Sequence, residues 1–471
     1  MKRIAIIGGG ISGMTVAFRL EKQRSKGLEI DYVLFESSER FGGVIRTQRI
    51  NDCIVEAGPD SFLTEKPWAA DLCRDLGLGD DLIGSNDAGR TTYILVKGRL
   101  VPLPDGLMFM VPTKLPATFL SPLFSWKTKL WMLREWFYRP SRDDSDVSVA
   151  EFVERHYGRE MVERVADPLV AGVYGGSAAE LSMRAVLARF ASIETEQGSL
   201  GRAMVKSRKL RGNGPAQPLF TSLRNGMQQL TDAILAGISP AKLRPATTVE
   251  SVQPEAGKWL VIANGRTEEF DAVIISTPAH AAAELLSQVN VELATEVAAI
   301  RYGSSVTVAL GYDEKVCSAL PPGFGFLVPR TEKRRLIAAT FVHNKFAHRS
   351  PGNFALIRCF LGGTRDEAAV NSSDAEIEEI VHRELEQILG INSQPTFVRI
   401  YRWKNAMAQY AVGHGARLER IRAFISVMPG LALAGNAYSG IGVPDCIRSG
   451  SEAAGKVLKD LGISQSAHGA G

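Results

Sequence analysis

The 471-residue sequence predicts an α/β fold with two further parts set into it. Three observations carry that reading. First, the chain opens with a βαβ pattern: an apolar run at 3–7, helical spacing from Ile11, and a second apolar run at 31–35. Second, it closes in the same style, with a strand-like run at 431–438 leading into a helical pattern at 443–461. Third, the texture between these ends changes twice. Residues 93–137 are rich in Leu, Phe, Trp and Met and are broken by Pro102, Pro104, Pro112, Pro116 and Pro122, whereas 300–365 hold several β-rich runs.

Composition bounds the problem before any motif does. Hydrophobic residues at 45% and charged residues at 23% exclude a disordered or collagen-like chain and allow a large core with an apolar pocket. A net charge of +4 gives no argument for nucleic acid, and it suits an anionic substrate or a membrane surface. Cys53, Cys73, Cys317, Cys359 and Cys446 are few, odd in number and widely spaced. They predict a reducing compartment and no metal site. Lys2 and Arg3 before an apolar run imitate a secretion signal, but Gly8, Gly9, Gly10 and Gly13 interrupt it, so the expectation is a cytoplasmic protein. No run of about 20 apolar residues occurs.

The opening βαβ unit carries G-x-G-x-x-G at Gly8, Gly10 and Gly13. The first glycine permits a tight turn and the second a close approach of backbone to a pyrophosphate. The third lets helix and strand pack, while the helix N-terminus favours phosphate charge. Glu36 closes the second strand about 20 residues further on, where an acid bonds ribose hydroxyls. A second glycine cluster, R-x-G-G-x-x-x-T at Arg40, Gly42, Gly43 and Thr47, follows at once. A plain nicotinamide enzyme has no need of it, whereas a long dinucleotide such as FAD gains a second backbone cradle. At the far end, AGNAYSGIGVPDC (434–446) sets a helix start at Gly442 and Val443. Its positive end suits a ligand group that carries negative charge.

This pairing of motifs resembles the flavoproteins with two dinucleotide-binding segments, the amine oxidases, phytoene desaturases and porphyrinogen oxidases. GPDSF (58–62), AGVYGG (171–176), FTSLRNGMQQL (220–230), GFGFLVP (323–329) and W-x-x-x-M-x-Q-Y-x-x-G-H (403–414) narrow the resemblance to the oxygen-dependent porphyrinogen oxidases of heme biosynthesis over residues 3–460. Ser177, Ala408 and Val44 stand where those oxidases often have Asp, Pro and a basic residue. The resemblance implies a Rossmann-like FAD-binding domain of amine oxidase type at 1–92, 212–280 and 425–471. It places a helical insertion at 93–211 and a mixed-sheet substrate-binding domain at 281–424. It implies non-covalent FAD, six-electron oxidation of protoporphyrinogen IX or coproporphyrinogen III by oxygen, and hydrogen peroxide as by-product. Implied cofactor contacts are Gly8, Gly10, Ser12, Gly13, Glu36, Arg40, Gly42, Gly43, Gly58, Pro59, Asp60, Ser61, Val249, Thr277, Trp403, Gly435, Gly442 and Val443. Implied substrate contacts are Gly172 over the flavin face, Leu327, Thr340 and Phe360 as walls, and Lys66 as the cation for a propionate.

Alternatives stand beside several of these. Lys66 also reads as a surface lysine before Pro67, and Lys66 as a substrate contact tilts the choice toward the more anionic coproporphyrinogen. His343, His348 and His414 read as structural residues rather than bases, and Cys446 as a buried helix cysteine. Trp126, Trp131, Trp136 and Tyr138, interleaved with Lys127, Lys129, Arg134 and Arg139, suit a helix lying on the cytoplasmic face of a membrane, or equally a domain core with one exposed face. The basic stretch 202–215 reads as a solvated loop, the tail 464–471 as frayed, and a homodimer is compatible with the resemblance. The competing activity is that of an amine oxidase or a carotenoid desaturase.

Overall fold

The computed structural model describes residues 1–141, 145–210 and 217–463; the tail at 464–471 and most of the basic stretch at 208–215 lie outside the described residues. The opening and closing segments meet in one five-stranded parallel sheet. Its order is Leu243–Arg244, Ile30–Phe35, Lys2–Ile7, Ala272–Ile275 and Leu431–Leu433. These strands read as continuous apolar runs because both faces are covered. On one face the helices Ile11–Arg24 and Val443–Asp460 pack together, and a Cβ on Gly450 would lie 2.4 Å from the Ser12 carbonyl oxygen. On the other lies the antiparallel meander Val249–Glu255, Lys258–Ala263 and Arg266–Phe270, with the helices Ala279–Leu286, Val291–Ala298 and His414–Ser426 in the same core.

A seven-stranded mixed sheet stands beside this unit. Its order is Phe397–Ala408, Tyr302–Tyr312, Ala355–Gly362, Ala338–Phe341, Gly325–Leu327, Thr92–Val96 and Arg99–Pro102. Period-two alternation divides its side chains. Val306, Val308, Leu310, Ile357 and Cys359 face the helix Asp374–Leu389, which buries Ile377, Val381 and Leu385 against them. Each such side chain contributes about 1.5–3 kcal/mol of burial. Ser305, Thr307, Arg358, Phe360 and Trp403 take the opposite face and form the floor of the cavity described below.

The first strands of the stretch expected as a helical insertion belong to this sheet. Thr92–Val96 and Arg99–Pro102 form a hairpin whose turn residues, Lys97 (φ 52°) and Gly98 (φ 74°), are both left-handed, the backbone that matches strand twist in a two-residue turn. Helices begin only at Leu115–Leu120 and continue through Trp126–Glu135, Val149–Tyr157, Asp167–Tyr174, Ala188–Gln197 and Leu200–Leu210. Likewise residues 281–300 and 414–424, expected with the substrate sheet, pack into the core of the cofactor half. Their apolar faces match the five-stranded sheet, and sequence distance does not register that. Ahead of Asp167–Tyr174 the chain makes a π-helical turn at Val162–Ala166. Pro168 lacks the N–H for a regular α-turn and its ring crowds the carbonyl four residues back, so the wider turn relieves both. The helix so displaced ends at Gly175 (φ 61°) and forms the cavity roof.

Candidate functional site

The two N-terminal glycine loops lie back to back. Gly8 turns at φ 107°, and a Cβ on Gly13 would lie 1.9 Å from the Gly8 carbonyl oxygen. Ser276 donates to the Ile7 and Gly8 carbonyls at 2.9 and 2.8 Å, and the start of Ile11–Arg24, which carries no side-chain cap, borders the cavity. The Gly42 N–H donates to the Gly9 carbonyl at 2.8 Å, and a Cβ on Gly43 would lie 3.2 Å from the Gly10 Cα. Glu36 accepts from the Gly9 and Ser38 amides at 2.7 and 2.8 Å, so the turn itself fixes its carboxylate. Arg40 donates to the Phe41, Gly43 and Ile45 carbonyls and thereby shapes the second loop from within. Burial lowers its basicity.

A third loop, Gly58–Ser61, closes against the second: a Cβ on Gly58 would sit 2.0 Å from the Val44 carbonyl oxygen. A buried charge cluster ties this loop to the seven-stranded sheet. Lys345 reaches both Asp60 oxygens at 3.2 and 3.1 Å and the Ser61 hydroxyl at 2.9 Å. Arg358 donates to the Gly58 carbonyl at 2.6 Å and lies 3.5 Å from Asp60, while Arg349 pairs with Glu56 at 3.2 Å. Burial alone would raise the Asp60 carboxyl, but Lys345 and Arg358 outweigh it and hold the group well below the usual carboxylate range. For Glu56 burial wins over Arg349, and for Lys345 burial lowers the ammonium despite Asp60.

The C-terminal segment supplies the fourth wall. Gly435 (φ 123°) and Gly440 (φ 115°) turn the chain, and Gly442 opens the helix Val443–Asp460. Tyr410 donates to the Asn436 carbonyl at 2.6 Å and accepts from the Gly440 amide at 2.8 Å. Tyr302 donates to the Asn436 side chain at 2.8 Å, and the Trp403 ring N–H to the Ala57 carbonyl at 3.1 Å.

Together these walls enclose a cavity of about 520 Å³. Of the residues expected at the site, Gly10, Ser12, Gly42, Gly43, Gly58, Pro59, Ser61, Lys66, Gly172, Thr277, Phe360, Trp403, Gly435, Gly442 and Val443 border it. Gly8, Gly13, Glu36, Arg40 and Asp60 do not border it and set the bordering loops, by the contacts given above. Leu327 packs among the helical-domain residues, and a Cβ on Gly172 would meet it at 3.4 Å. Thr340 pairs across the sheet with Gly325 and Arg358, and Val249 with Ala263 in the meander; none of these three borders the cavity. Lys66 reaches the cavity already paired with Asp445, at 2.6 Å. His343, His348 and His414 lie off the cavity; His414 stacks on Tyr410 with ring centroids 4.2 Å apart.

Sequence reasoning missed Arg358, Lys345 and Asp445. Of the two bases, Arg358 comes from a strand and Lys345 from a short helix, so no spacing announces them. Asp445, in the VPDC run, reads as an ordinary acid in the first turn of a helix. The cavity fits a flavin dinucleotide: glycine positions clear the backbone wherever two loops converge, and the bordering Thr277 hydroxyl is buried without a partner among the described residues. No group of residues suited to a metal occurs among those described.

Comparison with known proteins covers the whole chain. Residues 11–458 match the family described as flavin containing amine oxidoreductase. Coproporphyrinogen III oxidase of Bacillus subtilis (strain 168) is 34% identical over 98% of this chain and 98% of its own. The enzyme of that name from Staphylococcus aureus is 30% identical over 98% and 100%. A solved structure from Exiguobacterium sp. 255-15 superposes with a TM-score of 0.86 at 28% identity, over 98% of this chain and 99% of the other.

Proposed function

This chain belongs to the flavin-containing amine oxidoreductases, FAD-dependent enzymes, and we propose that it oxidises a porphyrinogen of heme biosynthesis, coproporphyrinogen III before protoporphyrinogen IX, with oxygen as final acceptor and hydrogen peroxide as by-product. End-to-end similarity to coproporphyrinogen III oxidases carries the reading. Bound FAD supplies the acceptor for the hydrogen and electron pair of each C–H bond broken. Three such two-electron steps convert the porphyrinogen to the porphyrin.

In this reading the Gly10–Ser12 and Gly42–Gly43 loops hold the pyrophosphate side of FAD, and Glu36, placed by the Gly9 amide, faces the ribose. The Gly442–Val443 helix start and the Thr277 hydroxyl take the ring. The macrocycle lies between the Ala171–Gly175 roof and the floor of Thr307 and Phe360, with water excluded by Ile337, Leu361 and Met407. Arg358 borders this floor with its guanidinium engaged by the Gly58 carbonyl and Asp60. Purified yellow protein, given both porphyrinogens in parallel in air, should raise porphyrin fluorescence faster than the enzyme-free blank, and faster with coproporphyrinogen III. A rate no higher than the blank with either substrate sinks the assignment and turns attention to amines and carotenoids.

We also propose that the helical part rests on a membrane surface. Trp126, Leu130, Leu133 and Phe137 follow one stripe of the helix Trp126–Glu135 and its extension, with Trp126 and Phe137 exposed by 73% and 78%. Lys127 and Arg134 accompany them, which suits an anionic lipid interface. No helix among the described residues is long and apolar enough to cross a bilayer. Sedimentation with anionic vesicles should be lost in a W126S/F137S double variant that keeps its flavin; unchanged sedimentation of that variant removes this surface from consideration.

A further inference from the structure

Oxidation of a porphyrinogen releases a proton as well as a hydride equivalent in each two-electron step, and a group at the site that takes it is a base bordering the cavity. Five titratable side chains border the cavity among the described residues: Lys66, Tyr174, Arg358, Asp445 and Cys446. Burial pushes the Tyr174 phenol and the Cys446 thiol each up to about 12, so both stay protonated and neither is a base. Arg358 remains a cation, its guanidinium turned to the Gly58 carbonyl and Asp60. No histidine or glutamate among the described residues borders the cavity. That leaves Asp445 as the carboxylate facing it.

The surroundings of Asp445 fix its carboxyl group in place. Its side chain is 6% exposed, and Oδ2 accepts from Lys66 Nζ at 2.6 Å and from the Gly442 amide at 3.3 Å. Both contacts fall on Oδ2, and Oδ1 carries no hydrogen bond among the described residues. Gly440 leaves room for the carboxyl group, since a Cβ there would meet its Cγ at 2.3 Å. Lys66, with its side chain 34% exposed, connects this point to solvent. The charged or titratable groups facing Asp445 are Lys66 from the segment before Pro67, Tyr174 from the cavity roof, and Cys446 beside it.

We propose that Asp445 is the proton acceptor of the reaction and that Lys66 is its outlet to water. The inference rests on the porphyrinogen oxidase reading above. In each step a meso C–H bond of the macrocycle breaks, its hydrogen and electron pair leaving to the enzyme's two-electron acceptor. A second bond to hydrogen breaks as well, directly or after tautomerisation: a pyrrole N–H in two of the three steps and a meso C–H in the third, so that four meso C–H and two N–H bonds are lost in all, and its electron pair stays on the macrocycle to complete the new double-bond system. The proton forms an O–H bond on Asp445. The Lys66 ammonium then yields a proton to water and recovers one from Asp445, which restores the ion pair. The macrocycle loses two electrons and two hydrogens, and the pair ends each step with its starting charge. Lys66 is thus a positioning and relay residue, engaged by Asp445 and not left free for a propionate.

The test compares wild type, D445N and K66M, each loaded with FAD. Asparagine keeps an acceptor for the Gly442 amide, so flavin content and binding of coproporphyrin III, read by fluorescence quenching, should match wild type. Anaerobic flavin bleaching by coproporphyrinogen III should slow about 100-fold or more, the usual scale for loss of a general base. In K66M the acidic limb of the bleaching rate should move to higher pH, because the carboxylate loses its cationic neighbour; a merely structural lysine would lower the rate without moving the limb. Bleaching of D445N at the wild-type rate overturns the assignment. If D445N cannot hold flavin, K66M decides alone, and an unmoved limb overturns it. Failure of wild type itself to bleach is a different result: it removes the porphyrinogen oxidase reading and this step with it.

Discussion

Gly58 shows how little freedom a single position at the site retains. A methyl group there would sit 2.0 Å from the Val44 carbonyl oxygen, and both partners are backbone that cannot swing away. We expect G58A to shift the loop pair apart at a cost of about 1–3 kcal/mol, or roughly 10- to 100-fold in flavin affinity. Flavin retained after gel filtration checks this, and full retention would show that the loops tolerate the displacement. Lys345 is the second such position. Its ammonium offsets the burial of Asp60, so K345M leaves that carboxylate with Arg358 as its one cationic partner among the described residues, beside the Ser61 hydroxyl. The expected loss is about 3–5 kcal/mol in urea unfolding, the scale for breaking a buried pair from one side. The sign with pH is fixed by Asp60. Its folded value lies well below the ordinary one, so its contribution is complete above about pH 4 and is lost as pH falls through the folded value. Wild type should therefore lose its margin over K345M in strong acid.

At the scale of elements, His156 joins four helices of the inserted part. It is fully buried, with Nε2 3.1 Å from Glu194 and Nδ1 3.5 Å from Glu135. Glu135 in turn accepts from the Leu200 amide at the start of Leu200–Leu210. Arg155 pairs with Glu194, and the Tyr138, Phe152 and Tyr157 rings pack around the imidazole. Burial alone would lower the imidazole, but the two glutamates outweigh it and raise it. A raised folded value means stabilisation that is complete below about pH 6.5 and is lost as pH climbs through the folded value. The melting temperature should fall from about pH 6 to about pH 9 in wild type and change less in H156Q; parallel slopes would show that the imidazole does not titrate with folding. The elements also mark how far sequence reading reached. The βαβ opening, the meander and the long helix at Asp374–Leu389 announce themselves because each is a local period with its own caps, such as Ser373 and Glu376. The hairpin at Thr92–Pro102 does not, because its apolar residues continue without a break into the Pro-rich helical stretch. Only the partner strand Gly325–Leu327, far off in sequence, identifies it as sheet.

Across the whole molecule the same division holds for the site. Glycine loops are legible because their function lies in their own backbone. Lys345, Arg358 and Asp445 are not, because their meaning is relational: each acquires a role only when the seven-stranded sheet, the Gly58–Ser61 loop and the C-terminal helix converge. Lys66 illustrates the point most sharply. From sequence it is a free cation awaiting a carboxylate, and in the fold that carboxylate is already supplied by Asp445.

The strand Leu431–Leu433 forms one edge of the five-stranded sheet, beside Ala272–Ile275, and the glycines just after it complete a site whose first loops were made at the other terminus. This order of assembly has a consequence during biosynthesis. At ~5–20 residues per second, a ribosome needs on the order of 20–90 seconds to deliver Gly435 after the Gly8–Gly13 turn has emerged. Throughout that interval the nascent chain exposes half a flavin cradle and no means of closing it. With FAD placed as proposed, cofactor capture is a late, near-terminal event, and a chain cut short before the last helix is expected to be colourless.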